Sequence, residues 1–292
     1  MRESFYNIRL SKKRQRQMDD ICQIVIKYQN QGYKMTLRQL FYQLVTENKV
    51  SNDEREYRRL SCLVKDGRMM GLIDWDVIED RGREPYQHSE FDDIEDLMAS
   101  ALSSYRLPRW ADQDCYVELW VEKDALSGIL RPLADKYHVT LMVNKGFSSA
   151  TAMYEARKRF SRAISAGKKV AILYLGDHDP SGMAMTQDIQ KRLEELGVSI
   201  DVNRIGLNFD QVRKFRLPHN PAKERDPRFT EYERQYGEKC WEVDALNPSV
   251  LKKLVCGAIE KYVNGEKMGA VIAQEERDKS RLSALAGQVA NE

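Results

Sequence analysis

The hydrophobic positions of the first 70 residues recur at helical spacing in three successive segments. Helices are therefore predicted over residues 12–31, 36–50 and 53–70. Gly32 would end the first helix, and Ser51 or Asn52 would cap the third. A short β-like segment, LIDWDVIED, follows the third helix. This order is typical of a winged-helix module, whose third helix commonly enters the DNA major groove, although any three-helix bundle would show a similar pattern.

From about residue 113 the pattern changes to strands that alternate with helices. Strands are predicted at 116–121, 139–143 and 169–175, and helices at 125–137, 150–166 and 183–196. The third strand, KVAILYL, is continuously apolar, as expected where both faces of a parallel sheet are covered. The alternation predicts an α/β sandwich with right-handed crossovers. The remainder, 206–292, holds a basic loop with prolines and then two helices, over about 248–263 and from about 266 to the end.

Length and composition allow two domains in one soluble chain. The chain has 292 residues, of which 42% are hydrophobic and 32% charged. No apolar run approaches the roughly 18 residues that a membrane span needs, and the N-terminus is charged where a signal peptide is apolar. The five cysteines are an odd number without a CxxC pair, which argues against a disulfide framework and a zinc ribbon. We therefore expect a cytoplasmic protein with reduced cysteines and no membrane partner.

The distribution of charge is more informative than the net charge of +2. Residues 1–16 carry six basic side chains against one acidic side chain, and residues 204–228 carry seven against three. If these clusters lie on one face, they could contact the phosphates of nucleic acid. The alternative is a solvated N-terminal arm and a solvated loop, as most charge runs are.

Polar side chains follow each predicted strand where it ends. The segments concerned are Glu122-Lys123, Asn144-Lys145-Gly146 and Asp177-His178-Asp179. Because the carboxyl ends of parallel strands meet at one edge of a sheet, the three acidic side chains in these segments should lie together. In an extended segment alternate residues face the same way, so the two aspartates could share one ion, and oxygen ligands suit Mg²⁺ or Mn²⁺. In the alternative interpretation, Asp179 caps a helix that begins at Pro180, and Glu122 is a surface carboxylate paired with Lys123.

Three runs, VELWVEKDAL, NKGFSSATA and ILYLGDHDPSGMAM, resemble the Toprim domain of the A subunit of topoisomerase VI and of the related meiotic recombination protein. The resemblance covers about residues 113–205, and it implies a Rossmann-like parallel sheet in which Glu122, Asp177 and Asp179 bind Mg²⁺. It also implies a winged-helix-like DNA-binding domain at 1–106, while 206–292 would be a basic loop and C-terminal helical extension. Within that extension the CWEVDAL run is similar to a late segment of some Toprim proteins.

The run TLRQLFYQL resembles the winged-helix segment of the same family, in which an arginine precedes the catalytic tyrosine by four residues. The match falls on Arg38 and Tyr42, and Arg68, Asp80 and Arg83 lie in a segment similar to the family's wing. A phenol needs a neighbouring cation or base to attack a phosphodiester, and Arg38 on the same helical face could supply this together with Glu122 and the metal. In the family, the tyrosine of one protomer serves the Toprim site of its partner, which implies a homodimer.

These residues lead us to expect a DNA-binding protein that cleaves duplex DNA with Mg²⁺ and forms a protein–DNA link through Tyr42. A hydrolytic Toprim nuclease, with water as the nucleophile, is one alternative, and a non-catalytic DNA-binding scaffold is another. The sequence has no GxxxxGK loop, so ATP-driven strand passage would need a separate ATPase subunit. The residues expected to contact DNA are Lys12, Lys13, Arg14, Arg68, Arg83 and Lys145.

Overall fold

Three helices form the N-terminal part of the computed structural model, which describes residues 2–5, 7–78, 88–144, 146–222 and 224–289. They are α1 (Lys12–Gln29), α2 (Leu37–Thr46) and α3 (Glu54–Met69). Their apolar stripes pack together around Ile21, Leu40 and Leu63, each at most 5% exposed. The three helices predicted from periodicity are therefore confirmed.

The cap of α3 differs from the prediction. Asp53 is the cap, and its Oδ1 accepts a hydrogen bond from the backbone N–H of Glu56 at 2.8 Å. Ser51 supports it, because its hydroxyl donates to Asp53 Oδ2 at 2.6 Å. The prediction of Ser51 or Asn52 as the cap is wrong because the helix begins at Glu54, two residues later than a Ser51 cap and one later than an Asn52 cap would allow.

The β-like segment predicted after α3 forms no continuous strand over residues 72–78. Ile78 makes an isolated parallel bridge to Met35, and the turn before it is held by Arg68. The Arg68 guanidinium donates to the backbone carbonyl of Ile78 at 2.9 Å and lies 4.6 Å from the centre of the Trp75 ring. The Ile78 carbonyl thus accepts a hydrogen bond from the Arg68 side chain and not from the backbone of a second strand. Residues 79 and 80 of this segment lie outside the described residues.

A four-stranded parallel sheet forms the centre of the molecule, which confirms the mixed α/β class. The strand order is β2-β1-β3-β4. Val121 at the end of β1 pairs with both Val143 and Leu175, so the carboxyl ends of three strands are level. The fourth strand was not predicted, because its sequence, DVNRIG, lacks the apolar run that marks the third. The strands are β1 (Cys115–Val121), β2 (Thr140–Val143), β3 (Lys169–Leu175) and β4 (Asp201–Gly206).

Helices cover both faces of this sheet. The other helices of the described residues are α4 (Ile94–Ser104), α5 (Ser127–Tyr137), α6 (Ala150–Ser165), α7 (Pro180–Glu195), α8 (Phe209–Phe215), α9 (Phe229–Tyr236), α10 (Pro248–Ile259) and α11 (Gly265–Val289). Helices α5 and α10 pack on one face and α6 and α7 on the other. None of the helices in the described part of the chain is both long and apolar enough to cross a membrane.

The segment that follows β4 returns to the N-terminal helices. It contains α8, α9 and a small antiparallel ribbon of β5 (Asn220–Pro221) and β6 (Lys239–Cys240). A 3-10 turn, Val243–Ala245, then packs against α2. One apolar cluster therefore runs from α1–α3 to the α5 and α10 face of the sheet, and the two C-terminal helices predicted from the sequence are α10 and α11.

Candidate active site

Glu122 and Asp177 lie side by side at the carboxyl edge of the sheet. Glu122 directly follows β1, Asp177 comes two residues after β3, and these strands are neighbours. The backbone N–H of Asp177 donates a hydrogen bond to Glu122 Oε2 at 2.9 Å. Both side chains are buried, with residue exposures of 8% and 6%. The fold thus brings together two of the three carboxylates that the family resemblance implies as metal ligands.

Asp179, the third of these carboxylates, caps helix α7. Its Oδ1 accepts hydrogen bonds from the backbone N–H of Gly182 at 2.6 Å and from the hydroxyl of Ser181 at 3.1 Å. Pro180 takes the first helical position, so this aspartate has the ordinary capping role that its sequence allowed. Its charge also reaches Glu122: burial is the main cause that raises the pKa of Glu122, and Asp179 adds to it.

His178, between the two aspartates, is packed in an aromatic pocket. Its Nδ1 lies 2.8 Å from the hydroxyl of Tyr232, and the residue is fully buried. Burial lowers the pKa of His178 to about 4, so the imidazole is neutral at physiological pH. This packing anchors the segment that carries both aspartates. The rings around the imidazole belong to Phe209, Tyr232, Tyr236 and Trp241.

Lys123 lies at the centre of a second group of carboxylates. Its Nζ is 2.8 Å from Asp177 Oδ2, 2.7 Å from Glu242 Oε2 and 3.3 Å from Asp244 Oδ1. The backbone N–H of Val243 also donates to Asp177 Oδ1 at 2.9 Å. We did not predict Glu242 or Asp244 as site residues, and the signal that could have identified them is the CWEVDAL run that contains both.

Arg38 joins this group from helix α2. Its Nε donates to Glu242 Oε2 at 3.0 Å and lies 3.4 Å from Asp244 Oδ2. Burial alone would raise the pKa of Glu242, but Lys123 and Arg38 outweigh burial and lower it to about 2. An ion-pair network therefore connects α2 to the ends of β1 and β3 within one chain.

Tyr42, one helical turn after Arg38, is buried, with 4% of its surface exposed. Its hydroxyl accepts a hydrogen bond from Asn220 Nδ2 at 3.3 Å. Burial, reinforced by the charge of Glu242, raises the pKa of the phenol even though Arg38 opposes this. Tyr42 lines a pocket of about 250 Å³ together with Arg38, Asn220 and Glu242. The structure thus places the tyrosine, in its protonated form, beside the carboxylate network of its own chain.

The donor set fits a hard divalent cation in chemistry and in charge. All candidate ligands are carboxylates, and five of them face three cationic side chains, which leaves two negative charges uncompensated within this set. In the described part of the chain, no group of three or more His, Cys, Asp or Glu side chains is already arranged to hold a metal ion. The carboxylates are Glu122, Asp177, Asp179, Glu242 and Asp244, and the cationic side chains are Arg38, Lys123 and Arg204.

Of the basic residues predicted to contact DNA, some are exposed to solvent and others bond to groups of the same chain. Lys12 and Lys13 are exposed at the start of α1. Arg14 forms an ion pair with Asp66 of α3 at 2.7 Å, and Arg68 holds the turn after α3. Two further predicted contacts, Arg83 and Lys145, lie outside the described residues, as does Asp80.

A groove of about 830 Å³ lies between α1 and α3 and carries more basic than acidic side chains. We did not predict that arginines of α3 would line this groove, because their positions in the sequence are typical of an exposed helix face with solvated charges. The basic residues of this groove are Lys13, Arg14, Arg55, Arg58 and Arg59, and the acidic ones are Asp53 and Glu54.

Comparison of the chain with protein-family models and with curated protein sequences finds no match.

Proposed function

We propose that this protein cleaves phosphodiester bonds of DNA in a reaction that depends on Mg²⁺ or Mn²⁺, with the reacting phosphate at the carboxyl edge of the sheet. The observation that supports this most strongly is the excess of buried carboxylate at that edge. Burial raises the pKa of Glu122 and of Asp177, so each carboxylate lacks full compensation from its neighbours. A divalent cation would offset this excess of negative charge, and phosphoryl-transfer enzymes commonly hold such cations with one or two carboxylates together with substrate phosphates.

Glu122 and Asp177 would hold the cation, and the chain already orients both. Glu122 is fixed by the N–H of Asp177, and Asp177 by Lys123 and by the N–H of Val243. Contacts of this kind reduce the rearrangement that a ligand set needs on binding. When bound, a divalent cation stabilises charge on phosphate oxygens and lowers the pKa of water.

DNA is the substrate class that the groove between α1 and α3 supports. Its five basic side chains outnumber its two acidic ones, and Lys13 is exposed at its rim. Basic side chains bind DNA by displacing counterions from the phosphates, which requires no particular base sequence. In this proposal the three N-terminal helices act as a winged-helix-like DNA-binding part.

Water is the nucleophile that the resting geometry favours. Tyr42 is buried, and its neighbour Glu242 disfavours the phenolate that attack on phosphorus would need. Glu242 is a weak base, since Lys123 and Arg38 lower its pKa to about 2. Hydrolysis is therefore our first candidate reaction.

A tyrosyl–DNA link is the second candidate, and the pocket beside Tyr42 favours it. The ring lines this pocket with Arg38, whose guanidinium could contact a phosphate once released from Glu242. Tyr42 is connected to Asp177 of its own chain through Glu242 and Lys123. A homodimer and a separate ATPase subunit belong to this second candidate.

The test is cleavage of labelled supercoiled DNA with Mg²⁺, with part of each reaction treated with protease before electrophoresis. We expect nicked or linear DNA from the wild type and a loss of at least about 100-fold in the Glu122→Gln variant, since a ligand is removed while the side-chain volume is kept. Glu155→Gln is the matched control, because Glu155 forms an exposed ion pair with Lys158 on α6. Cleavage by Glu122→Gln at the wild-type rate would refute the proposed site.

A further inference from the structure

Lys123 is an unusual lysine because three carboxylates converge on its ammonium group. The three Nζ–O distances, to Asp177, Glu242 and Asp244, lie between 2.7 and 3.3 Å. The side chain is 21% exposed, whereas that of Asp244 is fully buried. Surface lysines commonly form one loose ion pair, so a lysine that satisfies three carboxylates occupies a built site.

The three carboxylates do not cancel against Lys123 alone. Asp244 Oδ2 is buried and accepts no hydrogen bond from any described residue, and its cationic neighbour there is Arg38 Nε at 3.4 Å. Burial raises the pKa of Asp244, and Glu242 adds to this while Lys123 opposes it. Removing the ammonium would therefore leave three buried or half-buried carboxylates around one vacated position, with Arg38 at one side.

Carboxylates that converge on one point are the ligands that hard divalent cations take in proteins. An ammonium is a compact point charge with donors in several directions, and this lets it take the position of such a cation without demanding its short ligand distances. Glu122, the residue before Lys123 in the chain, belongs to the proposed metal site, and Asp177 contacts both Glu122 and Lys123. The two positions thus share Asp177, as neighbouring ions in a two-metal site share a bridging ligand.

We propose that the Lys123 ammonium holds the position of a second divalent cation between Asp177, Glu242 and Asp244. The chain accordingly takes one divalent ion, at Glu122 and Asp177, and gains a second when the ammonium is removed. The statement about the first ion rests on the proposed function. The gain of an ion does not, because it concerns the difference between the wild type and a variant.

The experiment counts Mn²⁺ ions bound per chain, by isothermal titration calorimetry and by the loss of the free Mn²⁺ signal in electron paramagnetic resonance. We expect Lys123→Ala to bind one Mn²⁺ more than the wild type, and its melting temperature to rise more on addition of Mn²⁺. Lys267→Ala is the matched control, because Lys267 pairs with the exposed Asp114 at 2.8 Å and its loss leaves one carboxylate alone. This control should bind the same number of ions as the wild type.

If the alanine variant does not fold, Lys123→Gln replaces it, because its neutral side chain is one atom shorter than that of lysine and keeps two N–H donors without the charge. Equal Mn²⁺ stoichiometry in the wild type and in the folded variant overturns the proposal, and so does a wild type that binds two ions. A glutamine variant that stays unfolded in millimolar Mn²⁺ also overturns it, since the added ion should restore the missing charge. A wild type that binds no Mn²⁺ counts against the proposed function. Whether the Lys123 variant binds one ion more than the wild type still tests the role of the Lys123 ammonium.

Discussion

At the scale of single residues, Glu242 connects the two halves of the candidate site. Its carboxylate is bound by Arg38 from α2 and by Lys123 from the end of β1, and Tyr42 lies beside it. These contacts stabilise the charged carboxylate and the neutral phenol at the same time. The protonation states of the Glu242 carboxylate and the Tyr42 phenol therefore determine which of these two side chains can act as a base or a nucleophile.

The Tyr42→Phe variant separates the two candidate nucleophiles. It deletes one hydroxyl and keeps the buried ring, so packing should change little. With water as the nucleophile, strand cleavage should stay within a few-fold of the wild type and no protein–DNA adduct should form. Adducts that appear with wild-type protein after labelling, and vanish in this variant together with cleavage, would instead establish the tyrosyl link.

The pH dependence of stability should report the ion pairs of Glu242. Its folded-state pKa, about 2, lies below the ordinary value of 4.5, so its contribution is complete above pH 4.5 and is lost as the pH falls towards 2. The expected contribution is on the order of 2–3 kcal/mol. The melting temperatures of the wild type and Glu242→Gln should differ clearly at pH 7 and converge only as the pH falls to about 2. A difference that stays constant over this range would contradict the assignment.

At the scale of secondary-structure elements, the first turn of α7 packs directly beneath the Asp177 backbone. A Cβ atom on Gly182 would lie 2.3 Å from the carbonyl oxygen of Asp177, a distance that side chains do not tolerate. The Arg204 guanidinium also donates to the Gly182 carbonyl at 2.9 Å. The glycine is thus required by the close approach of two backbone segments that carry the site.

Gly182→Ala should therefore destabilise the protein by about 1–3 kcal/mol and reduce cleavage, because Asp177 must move. Gly257→Ala is its control, since Gly257 lies inside α10 with no atom near the position of the added methyl group. That control should be neutral or stabilising by up to about 1 kcal/mol, since alanine favours the helix. Chemical denaturation measures both changes, and a stable, active Gly182→Ala protein would contradict the packing described here.

At the scale of the whole molecule, the N-terminal helices are docked on the sheet through polar as well as apolar contacts. The hydroxyl of Tyr28 in α1 donates to Gln43 Oε1 in α2 at 2.6 Å. It also accepts from Asn247 Nδ2, at the start of α10, at 3.0 Å. The apolar cluster continues through the same region. The basic groove of α1 and α3 and the carboxylate edge are therefore held in one relative position.

Affinity for duplex DNA should fall steeply with salt, because phosphate contacts release counterions. Lys13→Ala should weaken binding at low salt and reduce the slope of log K against log salt by about one. Lys169→Ala is the control, since Lys169 begins β3 at the opposite end of the sheet from the carboxylates. Fluorescence anisotropy over a salt series measures all three proteins, and equal slopes for wild type and Lys13→Ala would remove α1 from the interface.

The three N-terminal helices, the first three strands and the position of Glu122 and Asp177 at one edge of the sheet could all be predicted from local sequence patterns. Local periodicity is sufficient for these, because helical stripes and apolar runs reflect burial on neighbouring elements. Parallel strands end at a common edge, so residues that follow two such runs can be assigned to that edge even when the strand order is unknown. The capping role of Asp179 was likewise readable from Asp-Pro.

The side chains that complete the site could be identified only from the folded chain. Glu242 and Asp244 meet Lys123 across about 120 residues of chain, and Arg38 meets Glu242 across about 200, separations that leave no local pattern in the sequence. The prediction of a β-like segment was wrong over 72–78 for the same reason. The backbone of this segment bonds to the Arg68 side chain and bridges to Met35, and it does not pair with a second strand. Contacts between distant segments depend on how helices pack on the sheet, and this packing is set by shape and charge that periodicity does not encode.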